Sequence, residues 1–326
     1  MLAETPFVRR AALAAVALLL AVPAVAQEKI TFLTPAPTNL PSFTAVQLAK
    51  AKGYFAAEGI TVELVAGRGG ADVGKQIGAG NAEAGLMLGD AEILLRPTGV
   101  PIKLVAMFGA GGFSFLVARE DAGINVPADL KGKTVSVMTY QDTGTYYSLV
   151  GTLASAKLAP ADLSIQALGP QLMWQNVVAG KVHACSCPAD FAAFIEAAGV
   201  KVKLIRHDQY YPALSQGMGV SDKLIAANPK LVGGIVRAVI KGAQDMRRDP
   251  AAAAAAYIEA VPEWKGREAV VVGTIRVLAT QVYTGQKRFG EIDPVRLSAL
   301  QDFFLEHQLI QTKSPVDQLY TNQFVP

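Results

Sequence analysis

The chain has 326 residues, of which 51% are hydrophobic, and its formal net charge is +3. This hydrophobic content excludes an intrinsically disordered chain, and the length suffices for a large buried core. Lysines and arginines are scattered among acidic residues rather than clustered, so the sequence also argues against a nucleic-acid-binding surface.

The first 26 residues have the composition of an export signal. Arg9 and Arg10 precede an uninterrupted apolar stretch at residues 11–22, and small residues at positions 24 and 26 form a cleavage site. Because that stretch is too short to span a bilayer, we predict a signal peptide over residues 1–26 that is removed on secretion. The arginine pair leaves open whether export uses the Sec or the twin-arginine route. We expect the mature chain in the periplasm.

Short strands then alternate with helices along the mature chain, and the pattern occurs twice. The predicted strands of the first series cover residues 29–33, 61–65, 84–88 and 102–108, and those of the second cover 113–118, 134–138, 163–168, 184–187 and 202–205. Such alternation is typical of βαβ units and parallel sheets, so the two series predict two α/β lobes. From residue 222 onward the pattern is helical, with helices predicted at residues 229–248, 251–260, 267–279 and 294–306.

Cysteine and histidine give no sign of a metal or redox site. Cys185 and Cys187 are separated by one residue, and a disulfide between them would close a very tight ring. We therefore expect both to be small buried hydrophobic side chains. Neither they nor His183, His207 and His307 show a metal-ligand spacing, and we expect no metal and no cofactor.

Four segments of the chain resemble a known family. They are AKAKGYFAAEGITVE at residues 49–63, QIGAGNAEAG at 76–85, DLKGKTV at 129–135 and AGKVHA at 179–184, the last with His183 where the family has Asp. They are similar, in the same order, to segments of the periplasmic solute-binding proteins of ABC transporters. The subgroup is the one that serves nitrate, sulfonate, taurine and thiamine-precursor importers.

The resemblance implies a two-lobed type II periplasmic binding protein fold, in which two doubly wound α/β sheets are joined by two crossover strands. Lobe one would comprise residues 27–112 and a helical return at 223–326, and lobe two residues 113–222. The hinge would lie near residues 109–114 and 215–220. Closure of the lobes over a ligand would be the mechanism. The implied partner is an ABC permease in the inner membrane, and we expect a monomer.

Ligands of α/β sheets bind at the carboxyl ends of the strands, next to helix N-termini. Residues 140–146 follow a predicted strand and open a helix, so their free N–H groups should face the cleft. The same rule, together with the glycine-rich loop at residues 67–72, gives the candidate ligand-binding residues Asn39, Pro41, Ser42, Phe43, Gly69, Gly70, Asp90, Phe113, Tyr140, Thr143, Gly144, Thr145, Tyr146, Trp174, Pro188 and Asp190.

Two ligand classes remain open. Aromatic side chains concentrate at the predicted edge of lobe two, which favours an aromatic or heteroaromatic compound. The helix-start loop instead suits a small oxyanion such as a sulfonate, carboxylate or nitrate. An enzyme related to pyrimidine synthesis is the third alternative, but Cys185-Ser186-Cys187 only faintly resembles the cysteine-rich motif of that branch, and no hydrolase motif such as GxSxG occurs. A role in sensing rather than uptake also remains open.

Overall fold

The computed structural model describes residues 27–140 and 142–326. The predicted signal peptide, residues 1–26, lies outside the described residues. Within the described part of the chain, none of the helices combines the length and apolar character required to cross a membrane.

Ten strands of the described chain form two five-stranded sheets. The strands are β1 Glu28–Thr34, β2 Ile60–Ala66, β3 Ala84–Leu88, β4 Ile102–Met107, β5 Ser114–Arg119, β6 Thr134–Val137, β7 Ser164–Ala167, β8 Ala184–Pro188, β9 Val202–Arg206 and β10 Gln216–Ser221. The first sheet has the order β2-β1-β3-β10-β4 and the second the order β7-β6-β8-β5-β9. The nine strands predicted from the sequence are therefore present, and β10 is an addition.

The same strand order recurs in both sheets, and one strand of each sheet runs antiparallel to its neighbours. β10 runs antiparallel between β3 and β4, and β5 runs antiparallel between β8 and β9. Both are crossover strands. β5 follows β4 of the first sheet but belongs to the second sheet, and β10 follows β9 of the second sheet but belongs to the first. β10 belongs to the first sheet, and the chain returns to that sheet between Arg206 and Gln216.

Helices cover both faces of the sheets. They are Thr44–Ala51, Tyr54–Ala57, Gly70–Ala79, Asp90–Leu95, Ser148–Ser155, Gly169–Val178, Ala189–Ala197, Asp222–Ala227, Pro229–Arg248, Pro250–Ala260, Glu268–Val277 and Pro294–Glu306. Burial follows from this layering, since every residue of the central strand β3 is buried whereas the edge strand β2 alternates between buried and exposed positions.

Local sequence sets the breaks between the C-terminal helices. The Asn228 side chain accepts a hydrogen bond from Leu231 N (3.1 Å), and Asp249 accepts one from Ala252 N (3.0 Å). A proline follows each of these capping residues, at the first helical position. An N–H at that position has no acceptor within the helix, so proline costs no hydrogen bond there. The chain therefore turns at Asp249 instead of continuing as one long helix.

The returning C-terminal segment packs on both lobes. The helix Glu268–Val277 lies against the helix Ala189–Ala197 of the second lobe, and both belong to one continuous apolar core. Trp264, only 3% exposed, stacks on Phe194 with ring centroids 5.6 Å apart. These contacts join the lobes beside the cleft.

Cys185 and Cys187 form a disulfide in the structure, with their Cα atoms 5.6 Å apart. The expectation of two separate thiols is therefore wrong. Residues i and i+2 of a strand point to the same face, and the extended backbone of β8 brings these two side chains together there. Their complete burial is as expected.

Candidate ligand-binding site

A cavity of about 50 Å³ lies between the carboxyl ends of β3, β6 and β8 and the short helical turn Pro41–Phe43. Its lining comes from both lobes. It includes these residues predicted from the sequence: Ser42, Phe43, Gly70, Phe113, Thr143, Gly144, Thr145, Pro188 and Asp190. The site thus lies where the strand-edge rule expects it.

Other predicted residues lie outside the lining. Tyr140 is 49% exposed and donates a hydrogen bond to Ile165 O (3.0 Å), and Trp174 stacks on Phe194 with centroids 5.0 Å apart. The carbonyl of Asn39 accepts hydrogen bonds from Tyr257 Oη and Trp264 Nε1, each 2.6 Å long. The remaining predicted residues that do not line the cavity are Pro41, Gly69, Asp90 and Tyr146.

Several lining residues are not among the individual candidate residues named from the sequence. They are Pro35, Ala36, Leu40, Met87, Leu88, Ser114, Met138, Asp142, Phe191 and Gln216. Leu40, Ser114, Asp142 and Phe191 adjoin a predicted position, and Asp142 lies within the predicted loop 140–146. Gln216 had no such signal, because it reaches the cavity from β10, the crossover strand that was not predicted as part of the first sheet.

We call residues 142–147 the binding loop. The chain forms a π-helical turn at Thr143–Tyr147, a wide turn that recurs at functional sites. Burial raises the Asp142 pKa above its usual value, and the neighbouring Thr145 and Gly144 lower it by a smaller amount. The Thr145 hydroxyl accepts a hydrogen bond from Met138 N (3.0 Å).

Asp190 is the second carboxylate of the cavity. It lies in the first turn of the helix Ala189–Ala197 and is fully buried. Its Oδ1 accepts a hydrogen bond from Phe191 N (3.1 Å), and burial raises its pKa to about 6. Ser42 of the other lobe approaches this carboxylate and lowers its pKa, but Ser42 Oγ and Asp190 Oδ2 make no well-formed hydrogen bond.

Unpartnered polar atoms point to a ligand. Four buried oxygens of cavity-lining residues lack a hydrogen-bond partner: Ser42 Oγ, Ser114 Oγ, Thr143 Oγ1 and Asp190 Oδ2. A buried polar atom left without a partner costs about 1–3 kcal/mol, so folded proteins almost always satisfy such atoms. Their position around one cavity makes them candidate hydrogen-bond partners for a bound molecule.

The titratable side chains of the site are acidic. Among residues 27–140 and 142–326, the cavity lining contains Asp142 and Asp190 but neither lysine nor arginine. Further inside lie Asp90, whose pKa burial raises to about 8, and Glu92, whose pKa burial also raises well above its usual value. An anion placed in the cavity would meet acidic side chains and no neutralising cation from the described lining.

The lobes touch beside the cavity through a pair of glycines. A Cβ on Gly70 would lie 3.0 Å from Thr143 Oγ1, and one on Gly69 would lie 3.1 Å from Asp142 Oδ2. Gly69 also has a φ of +97°, which side chains rarely adopt. The glycine-rich loop therefore gives the binding loop close access to the first lobe when the lobes are closed.

A serine and a histidine lie behind the cavity without lining it. Ser186 Oγ is 3.0 Å from His207 Nε2, and both residues are buried. Burial lowers the pKa of His207 to about 4, so its ring is neutral at physiological pH. Because neither side chain reaches the cavity, this pair cannot act as nucleophile and base on a molecule bound there.

The two sheets with their exchanged strands and the polar cavity between them define a two-lobed periplasmic-binding-protein fold. The chain belongs to the NMT1/THI5-like family, which matches residues 40–253.

Relatives of this chain include a binding protein and an enzyme. The riboflavin-binding protein RibY of Chloroflexus aurantiacus is 26% identical over 92% of this chain and 88% of its own length. The 4-amino-5-hydroxymethyl-2-methylpyrimidine phosphate synthase of Schizosaccharomyces pombe is 25% identical over 71% of this chain and 69% of its own length. The solved alkanesulfonate-binding protein SsuA of Xanthomonas axonopodis pv. citri shares the fold, with a TM-score of 0.71 and 16% identity over 91% of this chain and 98% of that one.

Proposed function

We propose that this protein is the periplasmic substrate-binding component of an ABC importer and that its ligand is a small uncharged or cationic organic ring compound. Family membership and the two-lobed fold support the first part. The observation that carries the second part is the set of unpartnered polar atoms around Asp190, in a lining without lysine or arginine in the described chain.

The lining favours the ring compound over an oxyanion. Phe43, Phe113 and Phe191 offer apolar ring faces, and Asp190 Oδ2 accepts a hydrogen bond from a ligand N–H or O–H. The unpartnered hydroxyls of Ser114 and Thr143 can donate to acceptor atoms on the same ligand. A sulfonate or nitrate would gain the hydroxyls but would meet two buried carboxyl groups at close range.

The ligand enters by lobe opening. About 50 Å³ has room for roughly four water molecules, which is less than a ring compound needs. The lobes must therefore separate to admit the ligand and then close on it, with the Gly70–Thr143 contact as one point of closure. We expect a monomer that delivers its ligand to a membrane permease, after removal of residues 1–26.

The test is a thermal-shift screen of residues 27–326, followed by calorimetry on any hit. The panel contains riboflavin, 4-amino-5-hydroxymethyl-2-methylpyrimidine, MOPS and nitrate. A ligand at about 100 times its Kd adds about 2.7 kcal/mol of stability, which raises Tm by several degrees. Stabilisation by a ring compound that is lost in Asp190→Ala supports the proposal. Stabilisation by MOPS or nitrate alone would overturn the ligand class while leaving the binding-protein assignment in place.

A further inference from the structure

The return crossover between β9 and β10, residues 207–215, contacts the binding loop as well as the hinge. We propose that two of its side chains, His207 and Tyr211, are positioning residues that fix the binding loop through serine hydroxyls. Hinge movement and the geometry of the ligand site would thereby be coupled. Neither side chain lines the cavity, so neither acts by touching the ligand.

The first bridge starts at His207. Ser186 Oγ lies 3.0 Å from His207 Nε2 and donates to the backbone carbonyl of Thr145 (2.7 Å). On the other side of the ring, His207 Nδ1 lies 2.6 Å from Thr152 Oγ1. The imidazole therefore connects a helix of the second lobe, strand β8 and the binding loop, and all of these side chains are buried.

The hydrogen-bond directions determine the tautomer of His207. A carbonyl only accepts, so the Ser186 proton is used on Thr145 O, and Ser186 Oγ must accept from His207 Nε2–H. The Nδ1 atom is then unprotonated and accepts from the Thr152 hydroxyl. Burial lowers the His207 pKa, and this effect is larger than the opposite effect of the neighbouring Asp208 and the Phe115 backbone. The ring therefore stays neutral, as this bridge requires.

The second bridge starts at Tyr211, four residues further along the same crossover. The Tyr211 hydroxyl donates to Ser148 Oγ (3.0 Å), and Ser148 Oγ donates to the backbone carbonyl of Thr143 (3.4 Å). Gly151 makes room for this arrangement, because a Cβ there would lie 3.0 Å from the Tyr211 ring. Two carbonyls of the binding loop are thus held by the same crossover through two separate serines.

The same crossover also contacts the outgoing crossover and the first lobe. Asp208 Oδ2 accepts a hydrogen bond from Gly112 N (2.9 Å), in the segment that leads from β4 to β5. Arg206 forms a 2.6 Å ion pair with Asp208 and donates to the carbonyl of Gln281 (2.8 Å), in the C-terminal segment. A change in hinge angle therefore moves the residues that hold the binding loop.

That the binding loop contacts a ligand rests on the proposed function. The experiment measures the mobility of the loop itself and needs no ligand. Hydrogen exchange of the loop amides is measured by NMR in the full mature chain. Ser186→Ala and Tyr211→Phe each remove one bridge with little change in volume, and we expect each to speed exchange at residues 143–147 by roughly tenfold. Tyr210→Phe, which removes the hydroxyl of the adjacent tyrosine, is the matched control and should leave exchange unchanged.

Two substitutions of His207 separate positioning from packing. In His207→Gln the amide nitrogen can take the place of Nε2 and preserve the Ser186 bridge, whereas His207→Asn reaches only the Thr152 side. Amide exchange at residues 143–147 should be nearly as slow as in wild type in the Gln variant, and faster than in wild type in the Asn variant. ¹⁵N NMR of the wild-type ring should show the Nε2–H tautomer. An Nδ1–H ring, or exchange that changes equally throughout the lobe in every variant, would overturn the proposal.

Discussion

Neutralising Asp190 should stabilise the protein while weakening its ligand site. The carboxylate is fully buried, and burial raises its pKa from the usual 3.8 to about 6. A difference of about two pKa units corresponds to about 3 kcal/mol of destabilisation when the group is ionised. Asp190→Asn removes this cost and keeps an oxygen to accept from Phe191 N, so the variant should gain up to about 3 kcal/mol near pH 8.

The gain should depend on pH in a defined direction. An acid whose pKa is raised on folding binds more protons in the folded state, so its ionisation reduces stability as pH rises from the unfolded to the folded pKa. For Asp190 that window runs from 3.8 to about 6. Urea unfolding of both proteins, measured from about pH 5 to pH 8, should give a difference that grows up to about pH 6 and is constant above it.

Comparison of the two proteins isolates Asp190 from the other buried acids. Asp90 and Asp142 also have raised pKa values, but they are present in both proteins and do not contribute to the difference. The reasoning would be refuted by a variant that is less stable than wild type near pH 8, or by a stability difference that does not change with pH. The same variant should lose affinity for a ligand identified in the screen, since an amide is a weaker acceptor than a carboxylate.

Three further outcomes follow from the site and its surroundings. Trp264→Ala should lower the free energy of unfolding in urea by about 3–5 kcal/mol, because the stack on Phe194 and the hydrogen bond to Asn39 O are lost. The control Val295→Ala, at a position 74% exposed, should change it by less than about 0.5 kcal/mol. Gly70→Val should weaken ligand affinity at least about tenfold with little change in Tm, because its branched side chain meets Thr143 on closure; unchanged affinity in calorimetry would contradict the closure contact. Affinity for a donor ligand should fall about tenfold between about pH 7.5 and pH 5, as Asp190 becomes protonated below its pKa of about 6, and a constant Kd over that range would exclude an ionised Asp190 as the acceptor.

Local patterns predicted the strands and many of the residues that line the cavity, because both depend on short stretches of sequence. Strand β3 and the loop after β6 are bounded by glycine and polar residues that end a strand in most contexts. The direction of β5 and β10 could not be predicted in this way. Strand direction in a sheet depends on which distant segment lies alongside, and no residue within Gln216–Ser221 encodes its neighbours β3 and β4.

Aromatic side chains were the least predictable part of the site. Trp174 and Phe191 both follow predicted strand ends, yet only Phe191 lines the cavity. Trp174 turns instead toward Phe194 and extends the stack to Trp264, which arrives from the first lobe after the return crossover. The sequence shows that these rings are near the strand edge, but the choice between cavity and stack depends on that distant partner.

The exchanged strands have a consequence for the order in which the protein acquires its structure. In the first sheet β4 pairs only with β10 among the named strands, so it has no neighbouring strand until residues 216–221 have been synthesised. The second sheet, in contrast, has all five of its strands by Arg206. During synthesis from the N-terminus, the lobe that begins first is therefore completed last, and its open edge remains available to chaperones or to misassembly until the second lobe is in place.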